Sequence, residues 1–228
     1  MTSAQQHSTQ TPNSNVPTHQ KARFNNHPKA PATATTPDAL KTVLNLVETA
    51  QLVQQVLREA FPATGFYVKT QRDANGARLH VEWTDGPREQ QVNKLLLPLQ
   101  SATPGQWGGT SPVEHFRLTA QGPQRVRLGA GRITVKRKFS DGLVGSVLQR
   151  LAHRHAARLN PEVRKLLTVE SFKKGALLGV LLYGVHFVDA GNSLHTDVET
   201  ALHDHTDVPG YPRSATAAGL FLRQPLNA

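Results

Sequence analysis

Two short runs, "GFYVKTQ" (65–71) and "ARLHVEW" (77–83), flank the turn "RDANG", and this arrangement constrains the fold more than any other feature of the chain. Asn-Gly supplies the positive backbone angles of a tight hairpin turn, and the runs on either side alternate apolar and polar residues with the period of a strand. Alternation puts Phe66, Val68 and Thr70 on one face of the first strand, and Leu79, Val81 and Trp83 on one face of the second. A lone hairpin is marginal in water, so helices and further strands must cover it.

The flanking sequence supplies them. Apolar residues from Leu40 through Val43, Leu44, Val47, Ala50, Val53 and Leu57 to Phe61 recur at three- and four-residue spacing, which predicts one amphipathic helix of up to six turns stopped by Pro62. After the hairpin, "TDGPREQQV" reads as a turn into a second helix, with Asp85 or Gly86 as cap, Pro87 in the first turn and Val92, Leu95, Leu96 and Leu99 on the buried side. Asp85 is thus read as a turn and cap residue. A lone Asp in such a turn is a weak catalytic candidate. The loop "SATPGQWGGTSP" (101–112) holds Trp107, which either stacks on a base or plugs the edge of the core.

"EHFRLTA", "QRVRLGA" and "GRITVKRKF" read as further strands. In the last, Ile133 and Val135 face inward while Arg132, Thr134 and Lys136 face out. Ser140 and Asp141 cap a helix expected to continue to about Asn160, carrying Arg150, Arg154 and Arg158 at four-residue spacing. Like charges at that spacing repel one another, and a bound anion would relieve the repulsion. The apolar run 175–188 is fourteen residues long, short of the roughly 20 that cross a bilayer. It predicts a helix over 170–188 that is buried in a soluble protein and apolar enough all round to supply a homodimer interface.

The formal charge of +10 is unevenly placed. Residues 117–174 hold fourteen bases against three acids, whereas residues 38–116 and 175–228 are slightly acidic. A basic block laid on regular structure is the footprint of a surface that meets polyanions. Residues 1–37 carry three bases, no acid and one aromatic, Phe24, a composition that predicts a disordered basic tail. They hold no apolar stretch of the kind a secretory signal needs. The chain has no cysteine, which excludes disulfides, thiolate zinc sites and a cysteine nucleophile, and fits a reducing cytoplasm.

The organisation expected is an α+β protein: a tail over 1–37, an α+β domain over 38–158 with a small antiparallel sheet covered by helices, and a helical C-terminal region over 159–228. The candidate phosphate contacts are Arg125, Arg127, Arg132, Lys136, Arg137 and Lys138 from strands, and Arg150, Arg154 and Arg158 from the helix. Such contacts confer affinity without sequence choice. The expected partner is nucleic acid, DNA before RNA, with no catalytic residue, cofactor or membrane involved. Two other classes remain open. One is an adaptor or inhibitor acting on an acidic host protein. The other is a metal-dependent nuclease, for which His195, Glu199 and His203 recur at four-residue spacing. That stretch lacks the His-Glu-x-x-His arrangement, and "LGAGR" lacks the context of a dinucleotide fingerprint.

The string "FPATGFYVKTQRDANGARLHVEWTDGPREQQVNKLLLPLQ" also resembles the large polyvalent protein-associated domains, type twenty-nine. Phe61, Pro62, Phe66, Val68, Val81, Trp83, Thr84, Asp85, Gly86, Pro87 and Val92 carry the resemblance, and "VRLGAGRITVKRKFS" is similar to the second half of such domains, so that it covers about residues 45–155. "ATPGQWGGTSP" stands where the family usually has a Phe-Asp-Gly-Met type segment. The resemblance implies a protein of phages or conjugative elements that travels with mobile DNA and assists its establishment, and it implies no enzymatic residue; the function expected is that of an accessory protein of a phage, plasmid or bacterial DNA-maintenance system.

Overall fold

The computed structural model describes residues 43–74, 76–105 and 109–222, so the tail 1–37, Asn75 and Trp107 lie outside the described residues. The chain is α+β, with small sheets, helices packed on them and a mainly helical C-terminal part.

Helix α1 is Leu46–Ala60. It starts later than the apolar spacing predicts because Asn45 and Glu48 form a capping box: Asn45 Oδ1 accepts the Glu48 N–H at 2.9 Å, and Glu48 Oε2 accepts the Asn45 N–H at 2.9 Å. Val43 precedes the cap and bridges to Arg127 instead. The buried stripe is correspondingly rotated: Leu46, Thr49, Leu52, Val53, Val56 and Leu57 face inward, and Val47 is exposed.

Strands β1 (Phe66–Asp73) and β2 (Gly76–Thr84) form the expected antiparallel hairpin, in the register Phe66↔Trp83, Val68↔Val81 and Asp73↔Gly76. Helix α2 (Glu89–Leu96) buries Val92 and Leu96. Asp85 turns the chain but does not cap α2, whose N-cap is Arg88. Its φ of 57° is left-handed, and its carboxylate accepts the backbone N–H of Ser140 at 2.9 Å. It therefore ties the end of β2 to the start of a later helix.

Strands β3 (Ala102–Pro104) and β4 (Thr110–Pro112) make a small ribbon; β5 (His115–Thr119) and β6 (Gly122–Val126) make a second hairpin. Strand β7 (Arg132–Lys138) joins the first sheet beside β2, in the order β1-β2-β7. Its pairing is parallel, with Leu79↔Ile133, Val81↔Val135 and Trp83↔Arg137. The expectation of a wholly antiparallel layer is corrected here: the connection from β2 to β7 passes through α2 and two ribbons, long enough to return β7 in the direction of β2. One face of this sheet packs with α1 and α2 into a first core that includes Val53, Val56, Leu57, Phe61, Leu79, Val81, Trp83, Val92 and Ile133. Each such side chain, fully buried, contributes about 1.5–3 kcal/mol relative to exposure. Trp83 Nε1 donates to the Pro87 carbonyl at 3.0 Å, satisfying its only polar atom.

Helix α3 is Asp141–Arg154, capped by Ser140, whose hydroxyl accepts the Leu143 N–H at 3.1 Å. It ends at Arg154, so Arg158 lies in the turn that follows rather than on the helix. Short helices α4 (Pro161–Leu166) and α5 (Val169–Lys173) come next. The helix expected over 170–188 is not formed. Only α5 falls within it, ending at Lys173 just before the left-handed Gly175 (φ 75°), and 174–187 continues as turns and irregular chain that include a second left-handed glycine, Gly184 (φ 71°). The homodimer reading rested on that helix. Leu177 and Leu182 are buried, whereas Leu178, Leu181, Tyr183 and Phe187 are exposed.

Helix α6 (Leu194–Asp204) packs on α3, and Val144, Val147, Leu148, Leu151, Leu177, Leu194, Val198 and Leu202 form a second core. The chain then returns to the first. Gln91 Nε2 donates to the carbonyls of Val208 and Gly210, α7 (Ala215–Ala218) lies against α1, and β8 (Leu220–Leu222) pairs with β5. Among the described residues no helix is long and apolar enough to cross a membrane.

Candidate nucleic-acid interface

The three-stranded sheet has two unlike faces. Strand alternation sends Phe66, Val68, Leu79, Val81, Trp83, Ile133 and Val135 towards the helices. The opposite face carries Tyr67, Lys69 and Gln71 from β1, Arg78, His80 and Glu82 from β2, and Arg132, Thr134, Lys136 and Lys138 from β7.

Register brings these side chains into rows across the sheet. Gln71, Arg78 and Arg132 form one row, Lys69, His80 and Thr134 the next, and Tyr67, Glu82 and Lys136 the third. His80 links the first two rows: its Nδ1 lies 2.6 Å from Thr134 Oγ1 in its own row, and its Nε2 lies 2.7 Å from Gln71 Oε1 in the row beside it. Five cations thus share the face with two carboxylates. Lys138 Nζ pairs with Glu82 Oε2 at 2.8 Å, and Arg78 approaches Asp73 at 3.9 Å. The hydrogen bond from Lys138 holds the Glu82 carboxyl below the usual range against the opposing effect of burial, with the charges of Lys69 and Lys136 adding to the depression. Lys69, Arg132 and Lys136 are exposed, and among the described residues none of the three has an ion-pair partner. Beside Tyr67 lies an open recess of about 540 Å³, lined by Gly65, Tyr67, Glu82, Trp83, Thr84 and Lys138.

The other residues singled out in the sequence are placed differently. Arg125 and Arg127 belong to the β6 region, away from this sheet in the pairing order; Arg125 pairs with Glu114, and Arg127 is exposed. Arg150 and Arg154 are exposed on α3, and Arg158 is exposed beyond its end. Arg137 is not on the surface. Only 5 % exposed, it sits on the inward parity with Ile133 and Val135, and its guanidinium donates to the carbonyls of Asp85, Gly86, Leu202 and His205. Its assignment as a phosphate contact is corrected: every nitrogen of the head group is already occupied by backbone oxygen. Conversely, Lys69, Arg78 and Tyr67 belong to the open face although the charge count did not draw attention to them. The signal was present in the hairpin, since these residues alternate with the apolar set across the Asn75-Gly76 turn.

The histidines of α6 are engaged in packing. His195 stacks on Phe172 with ring centroids 4.6 Å apart and approaches Glu199 at 3.5 Å, while His203 meets Phe139 edge-on at 5.1 Å. Among the described residues no group of three or more histidine or carboxylate side chains is arranged to hold a metal ion. His155, at the end of α3, is buried; burial pushes its pKa down, against the pull of Asp197.

Comparison with known proteins adds one finding. Residues 44–140 match the family model of large polyvalent protein associated domain 29. No curated protein and no solved structure gives a significant match. The matched stretch opens at Leu44, the first residue of the first core, and closes at Ser140, the cap of α3. The open basic face lies wholly within it, whereas α3 and the second core, towards which the sequence resemblance extends, lie beyond it.

Proposed function

We propose that the chain is a non-enzymatic nucleic-acid-binding accessory protein, for DNA before RNA, acting in the bacterial cytoplasm in a phage, plasmid or other DNA-maintenance system. One observation carries this reading: β1, β2 and β7 are registered so that Lys69, Arg78, Arg132, Lys136 and Lys138 share the solvent face of one sheet. Like charges brought this close repel one another, and a row of phosphates relieves that repulsion while releasing its own counterions. The family match is consistent with an association with mobile DNA, as the resemblance implies. Because none of the described residues on the face belongs to an element that projects to read base edges, the binding is expected to be indifferent to sequence.

The test is a titration of labelled DNA and RNA with the full chain at two salt concentrations, repeated with Lys69→Glu, Arg132→Glu and Lys136→Glu. Binding should weaken steeply with salt. Each substitution should reduce affinity across all sequences and lower the salt slope by about one. Absence of binding at low salt, or unchanged affinity in the charge-reversed variants, would overturn the proposal. Binding to an acidic protein that DNA does not compete away would favour the adaptor reading instead.

A further inference from the structure

The open face carries one feature that phosphate contact leaves unexplained. Tyr67, at 45 % exposure, stands on the same face as the cations, at the end of the row that runs through Glu82 to Lys136, and Lys69 Nζ lies 5.1 Å from its ring centroid. An exposed aromatic on an edge strand adds nothing to the core, which Val68 and Phe66 already serve from the other side of β1. It offers instead a flat ring in a basic field.

Resting on the nucleic-acid reading above, we propose that this face takes its ligand as a single strand, with one unpaired base seated on Tyr67 in the adjoining recess and the neighbouring phosphates on Lys69, Arg132 and Lys136. Three observations lead to this. First, among the described residues the sheet face bears no projecting helix or ribbon, the elements that fit a duplex major groove. Second, the recess beside Tyr67 contains Glu82, whose carboxyl is held ionised by Lys138. Lys138 also lines the recess but is committed to that carboxylate, so a phosphate placed there would find no unpaired cation and be repelled by Glu82, whereas an uncharged base would not be repelled. Third, the cations with no ion-pair partner lie along the sheet from the recess rather than in it. The face is thus divided into a place for a base and places for phosphates. A duplex can use only the second, because its base faces are already stacked on one another. Stacking on an aromatic side chain tolerates any base, which agrees with a surface that lacks base-edge readers.

The experiment compares a labelled oligothymidylate with a duplex of equal length, using the full chain, Tyr67→Ala and Tyr67→Phe. Because the ring is exposed, both variants should keep the fold, checked by circular dichroism. The wild-type chain should favour the single strand. Tyr67→Ala should weaken single-strand binding by roughly 5- to 150-fold, the range that stacking of one base accounts for, and leave the salt slope unchanged. Tyr67→Phe should retain the affinity, and duplex binding should be the same in all three. Equal or tighter binding of the duplex, or undiminished single-strand binding by Tyr67→Ala, would overturn this inference while leaving nucleic-acid binding intact. Failure of every strand to bind at low salt would remove both.

Discussion

The side chain of Arg137 donates its Nε–H to the carbonyl oxygen of Asp85 at 3.0 Å, so a buried cation on β7 grips the turn that ends β2. Its Nη1 donates to Leu202 at 3.3 Å and His205 at 2.8 Å, its Nη2 donates to Gly86 at 3.1 Å, and its own backbone N–H is accepted by Glu89. Burial lowers its pKa, opposed by the nearby carboxylates of Asp85, Asp207 and Glu89. One side chain thereby holds together the β2–α2 turn of the first core and the end of α6 in the second.

Replacing Arg137 by methionine should be strongly destabilising, since it strands four buried or part-buried carbonyls that accept from its guanidinium. The expected loss is about 3–5 kcal/mol, read from the denaturant midpoint. Arg137→Lys should recover little of it, because a single ammonium cannot satisfy oxygens spread around a planar fork. A lysine variant as stable as the wild type would show that charge rather than geometry matters at this position.

Much of this was legible in the sequence, including parts that charge counting obscured. The period of two in β1, β2 and β7 separates the faces, and it assigns Arg137 to the inward side with Ile133 and Val135. What hid its role is that a local pattern of Lys136, Arg137 and Lys138 looks like a charge run when read without parity. The parallel pairing of β7 with β2 was not legible, because tertiary packing sets register between strands joined through α2 and two ribbons, and no local turn residue encodes it. The run 175–188 failed for another reason. An apolar stretch of that length suits a helix or a folded-back loop equally well, and only the backbone angles at Gly175 and Gly184 decide between them.

Asp85 allows a paired test of its two roles. Its positive φ disfavours most side chains, and its Oδ1 accepts the N–H of Ser140. Asparagine tolerates the left-handed region and keeps a side-chain oxygen in place, so Asp85→Asn should cost less than about 1 kcal/mol. Alanine loses the acceptor and meets the steric cost, and Asp85→Ala should cost about 2–3 kcal/mol. Thermal or chemical denaturation of the two variants compares them directly. Equal losses would mean that the hydrogen bond to Ser140 is of no consequence.

Gly129 and Gly131 flank Ala130, and the structure distinguishes them. At Gly129 a Cβ would stand 2.5 Å from the carbonyl carbon of Asn45 and 2.6 Å from the nitrogen of Leu46, both backbone atoms at the start of α1. At Gly131 the nearest atom would be the Ala77 oxygen at an ordinary 3.5 Å. Gly129 also donates its N–H to the Thr49 hydroxyl at 2.8 Å, which fixes how closely the two segments approach. Gly129→Ala should therefore destabilise by about 2–3 kcal/mol or prevent folding, while Gly131→Ala should stay within about 0.5 kcal/mol of the wild type. Soluble yield and denaturation midpoints of the pair settle the point, and similar behaviour of the two variants would contradict it.

Glu59 makes the attachment of the C-terminal segment sensitive to acid. Its carboxylate accepts the Ser214 hydroxyl at 2.6 Å, the Thr216 N–H at 2.9 Å and the Thr216 hydroxyl at 2.6 Å, with Gln55 adding a fourth contact at 3.1 Å. Partial burial would raise its pKa, but these hydrogen bonds together outweigh it and lower the value from 4.5 to about 2. The folded value lies below the unfolded one, so the stabilisation is complete above pH 4.5 and is lost as pH falls from there towards 2. Because the side chain is exposed, screening reduces the effect to on the order of 1 kcal/mol. Glu59→Gln should lower stability at neutral pH by about that amount and flatten the acid dependence across this window. Hydrogen exchange at β8, which α7 and Glu59 hold in place beside β5, should quicken on acidification in the wild type after correction for intrinsic rates and be fast at both ends of the window in the variant. An unchanged acid slope in Glu59→Gln would place the titrating group elsewhere.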